Sequence, residues 1–371
     1  MSNILIIDKI VSGHNMEFLH HLYMGAKERP DNHYFIAVPI AFNQERGKLE
    51  WPEAENIHIC YLPDSICTER RQTKTFLSDV KTLREIIKLN IINEIFFVNW
   101  ISPLVYWFLP ASVRISGITY VVYLYLWDKL SFASKVKRVF KELLLVLNPR
   151  LKKNYVQNDP VAARYLNRLY KTHKYFNLSD PVFIQEYKAR DVRNDLQISK
   201  EKKFILFFGN LSYRKGTMTI LKSISLLSDE EVSKYHFVLA GRVSDEIKGQ
   251  FYSLYNKLKD TKPITLIEGF CSYEQIHDLC YSCDMMLAPY KDTTQSSGVI
   301  AYAAHYRKPV IVPNEGLLGR LVKRYELGMA VDDLTPERLS HIYSIACRSG
   351  EMTVTYEKDN SISEFVNTIL E

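Results

Sequence analysis

Phe204-Ile205-Leu206-Phe207-Phe208-Gly209-Asn210-Leu211-Ser212-Tyr213-Arg214-Lys215-Gly216 is the stretch on which the fold turns. Its first five residues are all apolar. A short run without alternation predicts a strand buried on both faces, as in a parallel sheet. Gly209 ends the run, a polar turn follows, and residues 218–227 have a helical pattern. Strand, loop and helix in that order are the repeating unit of a doubly wound sheet. The loop lies at the carboxyl end of its strand, the side on which open α/β sheets hold ligands. Arg214 and Lys215 there can meet a phosphate, Arg as a planar fork and Lys as a point charge. Taken alone, the same pair in a turn is more often a solvated surface.

Downstream the alternation continues. Strands are predicted at 237–240, 264–267, 285–287 and 310–312, with helices at 247–258, 273–280 and 298–305. Two more loops follow strands. In Ile267-Glu268-Gly269-Phe270-Cys271-Ser272-Tyr273, Gly269 lets the backbone turn, and Phe270 or its backbone can sit beside a nucleobase. Ser272 is fully explained as the cap of the next helix. Ala288-Pro289-Tyr290 leads through Lys291-Asp292-Thr293-Thr294-Gln295 to Ser296-Ser297-Gly298-Val299. Small hydroxyl residues and glycine at a helix start leave N–H groups and the positive dipole end open, which suits a diphosphate. Such a turn caps many ordinary helices, so its specificity comes from the company of the other two loops.

Upstream, the first 180 residues alternate too. Strands are predicted at 4–8, 33–39, 57–62, 94–98, 118–126 and 154–158, and helices at 16–27, 75–89 and 161–170. Residues 133–147 form an amphipathic basic helix. Val136, Val139, Phe140, Leu143, Leu144 and Leu147 make its apolar side, and Lys135, Lys137, Arg138 and Lys141 its charged side. Such a helix fits an anionic membrane surface; an ordinary surface helix with its apolar side inward reads the same. The mixed, charged stretch 173–203 reads as the linker. The expected domains are therefore 1–180, 181–349 and a C-terminal helical segment, 350–371, that crosses back to the first domain through Ile362, Phe365, Val366, Ile369 and Leu370.

A chain of 371 residues is long enough for two cores. Apolar residues are 47% and charged residues 24%, ordinary for a folded protein. A net charge of +6 suits phosphates but is too mild for a nucleic-acid binder. The six cysteines show no disulfide framework, and the Cys280–Cys283 pair lacks the second pair a zinc site needs. Met1–Asn3 leads straight into a strand with no leader pattern, and no apolar run is long enough to span a bilayer. These features favour a cytoplasmic protein, peripheral at the inner face of the membrane if the 133–147 helix docks there.

The order GNLSYRKG, FVLAGR, IEGFCSYEQIHDLCYSCDMMLAPY, QSSGVIAYAAHYRKPVIVPNEGLLGRLV resembles the C-terminal domain of family-four retaining glycosyltransferases of the GT-B fold. ILIIDKIVSGHNMEFLHHLY and NYVQNDPVAARYL are similar to that family more loosely. The resemblance implies two Rossmann-like domains facing across a cleft, with a nucleotide-sugar in the C-terminal domain and a saccharide or glycolipid acceptor in the N-terminal one. It implies that Lys215 binds phosphate, that Arg214 replaces an arginine the family carries where Asn210 stands, and that Ser297, Gly298 and Val299 hold the diphosphate and sugar. Gly13 and His14 match a glycine loop that faces the donor phosphates. The family's pair of glutamates, the second of which binds the ribose, falls on Thr294 and Tyr302, neither of them acidic, and the resemblance counts Tyr302 among the donor-binding positions. A catalytic-region histidine falls in Tyr123–Asp128, where Asp128 or Tyr125 takes its place.

The expected reaction is glycosyl transfer with retention, in polysaccharide or glycoconjugate assembly. No DxD ends a strand, so no metal is expected, and Lys215, Arg214 and helix N–H groups meet the leaving diphosphate. Two other classes stay in view. A nucleotide-sugar epimerase needs carboxylates about the donor, which the 293–299 loop lacks. A non-catalytic binding subunit is favoured by the missing glutamates and opposed by the intact lysine and Ser-Ser-Gly turn.

Overall fold

The computed structural model describes residues 2–11, 14–63, 75–181, 187–346 and 355–371. Two compact units emerge, Met1–Asp180 with Ser361–Glu371, and Pro181–Asn360.

The first unit holds a seven-stranded, fully parallel sheet in the order β3-β2-β1-β4-β5-β6-β7. Its strands are β1 (Asn3–Ile7), β2 (His33–Pro39), β3 (Ile57–Leu62), β4 (Glu94–Phe97), β5 (Arg114–Thr119), β6 (Leu151–Gln157) and β7 (Tyr175–Leu178). Leu5, Ile6 and Ile7 are all fully buried, because helices cover both faces of the sheet. The second unit holds six parallel strands in the order β10-β9-β8-β11-β12-β13. They are β8 (Lys203–Phe208), β9 (Tyr235–Gly241), β10 (Ile264–Glu268), β11 (Met285–Leu287), β12 (Val310–Pro313) and β13 (Gly328–Val331). Each sheet reverses its strand order once, beside β1 and β4 in the first unit and beside β8 and β11 in the second.

Three expectations change. The strand expected at 118–126 ends at Thr119, and a 3-10 segment, Tyr123–Lys129, follows. Its aromatic residues are drawn toward the helix Pro160–Leu169: Tyr125 donates its hydroxyl to Asp159, the residue that caps that helix, and Tyr123 pairs with Tyr170. The supposed linker contains β7, which pairs Tyr175 with Asn154. Only the two ends of β7 are buried, so it shows neither alternation nor an apolar run. Finally, the returning C-terminal segment starts at 361 rather than 350, since Thr355–Asp359 stays in the second unit. Glu357 accepts from the His305 ring at 2.6 Å, Asp359 accepts from the Tyr325 hydroxyl at 2.9 Å, and Tyr356 packs edge-on to Tyr325.

Ser361 then caps the helix Ile362–Leu370, which belongs to the first unit. Phe365 is fully buried against Phe18 with ring centroids 4.9 Å apart. The Tyr155 hydroxyl donates to the Thr368 carbonyl at 2.6 Å. Val366 lies so close to Gly25 of the helix His14–Lys27 that a Cβ on Gly25 would stand 2.2 Å from its Cγ1. Burying Phe365, Val366 and Leu370 contributes roughly 1.5–3 kcal/mol each.

Candidate functional site

The basic loop after β8 and the hydroxyl-rich loop after β11 meet at the point where the second sheet reverses. β8 and β11 are neighbours, Ile205 opposite Met285. Ligands of open α/β sheets bind at such reversals, outside the strand carboxyl ends.

Gly209 has φ +104°, and a Cβ built there would stand 2.6 Å from the Lys215 Nζ. The missing side chain is therefore the seat of the Lys215 ammonium. Gly216 has φ +75° and carries the loop so close to the next one that a Cβ would stand 2.0 Å from the Pro289 carbonyl oxygen. The Lys291 N–H donates to the Arg214 carbonyl at 2.8 Å and ties the two loops together. Both cations face one ring: Lys215 Nζ lies 5.3 Å and Arg214 Cζ 5.9 Å from the centroid of Tyr290. The Tyr290 hydroxyl is in turn 3.0 Å from Ser297 Oγ. Ser297 caps the helix Gly298–His305, accepting from the Val299 N–H at 3.4 Å. A continuous line thus runs from Gly209 through Lys215 and Tyr290 to a helix N-terminus. It joins two cations to a positive dipole end, an arrangement that attracts a polyanion.

The other candidates are placed unevenly. Asn210 is exposed beside Lys215's loop and its Oδ1 accepts from Ser244 Oγ at 3.2 Å. Thr294 is buried and bonded twice to Asp292 Oδ1, from its N–H at 3.0 Å and its hydroxyl at 2.6 Å. Ser296 and Gly298 are half-buried, and Val299 points inward. Tyr302 is 5% exposed, with its ring against Phe208 and His277 at centroid distances of 5.6 and 5.3 Å. It is a core residue, one turn along the helix and on its inner side. Gly269 and Phe270 follow β10, an edge strand two places from β8, and Phe270 is 75% exposed. The Gly269 N–H donates to the Gly241 carbonyl at 3.3 Å, and a Cβ on Gly241 would stand 1.8 Å from the Gly209 carbonyl oxygen, so this loop adjoins the start of the basic one through Gly241. Asp128 is an exposed residue of the first unit, in the 3-10 segment. Gly13 lies outside the described residues, and His14 opens the helix His14–Lys27.

The cysteines Cys280 and Cys283 are both buried, and Cys283 Sγ donates to the Cys280 carbonyl. Burial pushes the Cys283 thiol up to about 12, which disfavours its thiolate. Among the described residues no group of three or more His, Cys, Asp or Glu side chains is arranged to hold a metal.

One polar group was not read as a candidate. Asp8 follows β1 at the reversal point of the first sheet and is fully buried. Its Oδ1 accepts from the Ile10 N–H at 2.9 Å and from Asn99 Nδ2, just past β4, at 2.8 Å. Its Oδ2 and the Tyr120 hydroxyl have no partner among the described residues. Burial raises the Asp8 carboxyl to about 7, against the lowering effect of these bonds and of Lys9. The sequence signal was present: an acid that closes the apolar run 4–8, at a strand's carboxyl end. A shallow recess at the opposite, amino-terminal ends of the same strands is lined by Lys152, Lys153, Glu94 and Tyr155, with Lys152 and Glu94 paired at 3.1 Å. None of the candidate loops reaches it.

Residues 188–353 match the family described as glycosyl transferases, group 1. No curated protein matches the chain. Among solved structures, a glycosyltransferase from Rickettsia africae is similar over 100% of this chain and 97% of its own, with 14% identity and a TM-score of 0.73. HepE from Anabaena, solved in complex with UDP and glucose, is similar over 100% and 98%, with 13% identity and a TM-score of 0.67. A putative UDP-N-acetylglucosamine 2-epimerase from Listeria monocytogenes is similar over 99% and 94%, with 11% identity and a TM-score of 0.65. At these identities the structures share a fold and do not choose among its chemistries; the family match does. Residues 188–353 match the group 1 glycosyl transferases, so the second unit carries a glycosyltransferase domain, and the chain has the GT-B fold.

Proposed function

We propose that this protein moves a sugar from a nucleoside-diphosphate sugar, bound in the second unit, to a hydroxyl of a saccharide or glycolipid acceptor bound in the first, with retention at the anomeric carbon. The observation that carries the reading is the line from Gly209 through Lys215 and Tyr290 to Ser297 at the reversal of the second sheet. In the reaction the bond from the anomeric carbon to the diphosphate oxygen breaks and a bond to the acceptor oxygen forms on the same face. The acceptor's proton leaves with the diphosphate. Negative charge grows on that diphosphate, and Lys215, Arg214 and the N–H end of the 298–305 helix are set to receive it without reorganising. The same groups do the work a divalent cation would do, so turnover should persist in EDTA.

That HepE was solved with UDP makes uridine diphosphate the first probe to try. The setting that fits is polysaccharide or glycoconjugate assembly in the cytoplasm, with peripheral contact at the inner face of a membrane. No described helix is long and apolar enough to cross one. The decisive experiment is a melting screen of the protein with UDP, GDP and their sugars. A ligand at a hundred times its dissociation constant stabilises by about 2.7 kcal/mol. Lys215→Ala should abolish most of that shift. A donor that stabilises both proteins equally would remove Lys215 from the site, and no response to any nucleoside diphosphate would remove the site itself.

A further inference from the structure

The helix Phe132–Val146 buries only part of its apolar side: Val139 and Leu143 pack against the core around Val156 and Tyr175, and a second row does not. Phe132, Val136 and Phe140 follow one another at single-turn spacing, and they are 82%, 53% and 57% exposed. Leu147 continues the stripe and is exposed as well. Lys137 and Lys141 are exposed along one edge of it. The inward side is occupied by Leu145 and Val146, and by Glu142, the helix's single acid, which accepts from the Tyr175 hydroxyl at 2.6 Å. No carboxylate of the helix therefore shares the exposed side with its lysines. Trp107 lies alongside, its indole N–H donating to the Leu144 carbonyl at 2.8 Å, and it is partly exposed together with Leu104 and Phe108 of the same neighbouring turn.

An ordinary surface helix turns its apolar stripe to the core and its charges to water. This one shows water three aromatic and aliphatic side chains in a row with cations beside them, and keeps its acid inside. A large exposed apolar patch rimmed by polar residues marks an interaction surface. Aromatic rings at headgroup depth, with lysines that reach phosphates, are the features of a helix lying in the plane of a bilayer surface.

We propose that Phe132, Val136, Phe140 and Leu147, with Lys137, Lys141 and Trp107, form a docking face for an anionic lipid surface. The rings and aliphatic groups enter the headgroup boundary while the lysines meet lipid phosphates. A protein groove would answer the apolar stripe equally well; the one-sided charge, with no acid on the exposed side, is what favours lipid. The face deepens the reading of the protein as an enzyme of glycoconjugate assembly, since a lipid-linked acceptor lies in such a surface, but its own geometry does not depend on that reading.

The test is co-sedimentation of the full chain with phosphatidylcholine vesicles, with and without phosphatidylglycerol. Binding is expected only to the anionic vesicles and should weaken with salt. The pair Val136→Ser with Phe140→Ser should lower the partition coefficient by about tenfold or more, as should Lys137→Glu with Lys141→Glu. Both pairs replace exposed side chains, so each melting curve should match that of the unaltered protein. Donor hydrolysis in solution should also be unchanged, which separates failure of the docking face from failure of the proposed enzymatic function. Equal binding to neutral vesicles, or none to anionic ones, overturns the proposal. So does a concentration-dependent dimer that Val136→Ser with Phe140→Ser dissolves, since the occupant would then be a second copy of the chain.

Discussion

Ser297 carries two duties that a single substitution can separate. Its hydroxyl caps the 298–305 helix and also meets Tyr290. Aspartate is as good a cap as serine, so Ser297→Asp should leave the melting temperature within a degree or two. If a diphosphate sits at this helix start, the added negative charge should cut donor affinity by about tenfold or more. Calorimetry with the donor decides between cap and site. Asp8 allows a second residue-level test. Its carboxyl is raised from 3.8 to about 7 in the folded chain. A raised acid favours folding fully below its unfolded value, and that stability is lost as pH climbs through 7. The loss amounts to at most about 4 kcal/mol. Asp8→Asn should therefore gain stability relative to the unaltered protein between pH 5 and pH 8, as measured by denaturant midpoints. His21, buried and lowered to about 4, drifts the opposite way in both proteins and cancels in the comparison. A difference that stays flat with pH would show that Asp8 is not the strained acid described.

Among the elements, the turn between β8 and the helix Thr217–Leu226 tolerates little change. Gly216 takes a left-handed φ and packs on the Pro289 carbonyl. Gly216→Ala should cost at least about 1 kcal/mol, and by pushing the two loops apart it should weaken donor binding more than it lowers the melting point. A melting loss with unchanged donor affinity would mean that the loops need not touch. Element by element, what the sequence disclosed follows from period and length. Buried strands such as 204–208 announce themselves as apolar runs, and the basic and Ser-Ser-Gly loops were placed correctly because strand order alone puts them at carboxyl ends. Where the Phe270 loop lies was not legible, because sequence order says nothing of sheet order. β10 is third in its domain's sequence but stands at the edge of its sheet. The inward direction of Tyr302 was not legible, because a position inferred by resemblance carries no direction for its side chain. β7 was hidden by its two exposed central residues, Phe176 and Asn177. The stripe of the 132–146 helix was visible, but whether it faced core or water was not.

For the molecule as a whole, the C-terminal helix sets a sign that local rules get wrong. In an open helix Gly→Ala gains about 1 kcal/mol. At Gly25 the new methyl meets Val366, so Gly25→Ala should instead lose roughly 1–3 kcal/mol. The second unit should still bind donor, since its core is separate. A stabilised Gly25→Ala protein would show that the 362–370 helix is not seated as described.

That seating also bears on how the chain is made. The second unit is one continuous stretch, 181–360, whereas the first is interrupted by all of it. During synthesis the 180 residues translated first wait, with the hydrophobic slot around Phe18 and Gly25 uncovered, until Phe365 and Val366 are threaded out behind a complete second unit. Domains usually mature in the order of translation; here the later one can finish before the earlier. A nascent chain stalled short of Ser361 thus leaves that apolar slot open, and the slot closes only as the 362–370 helix arrives.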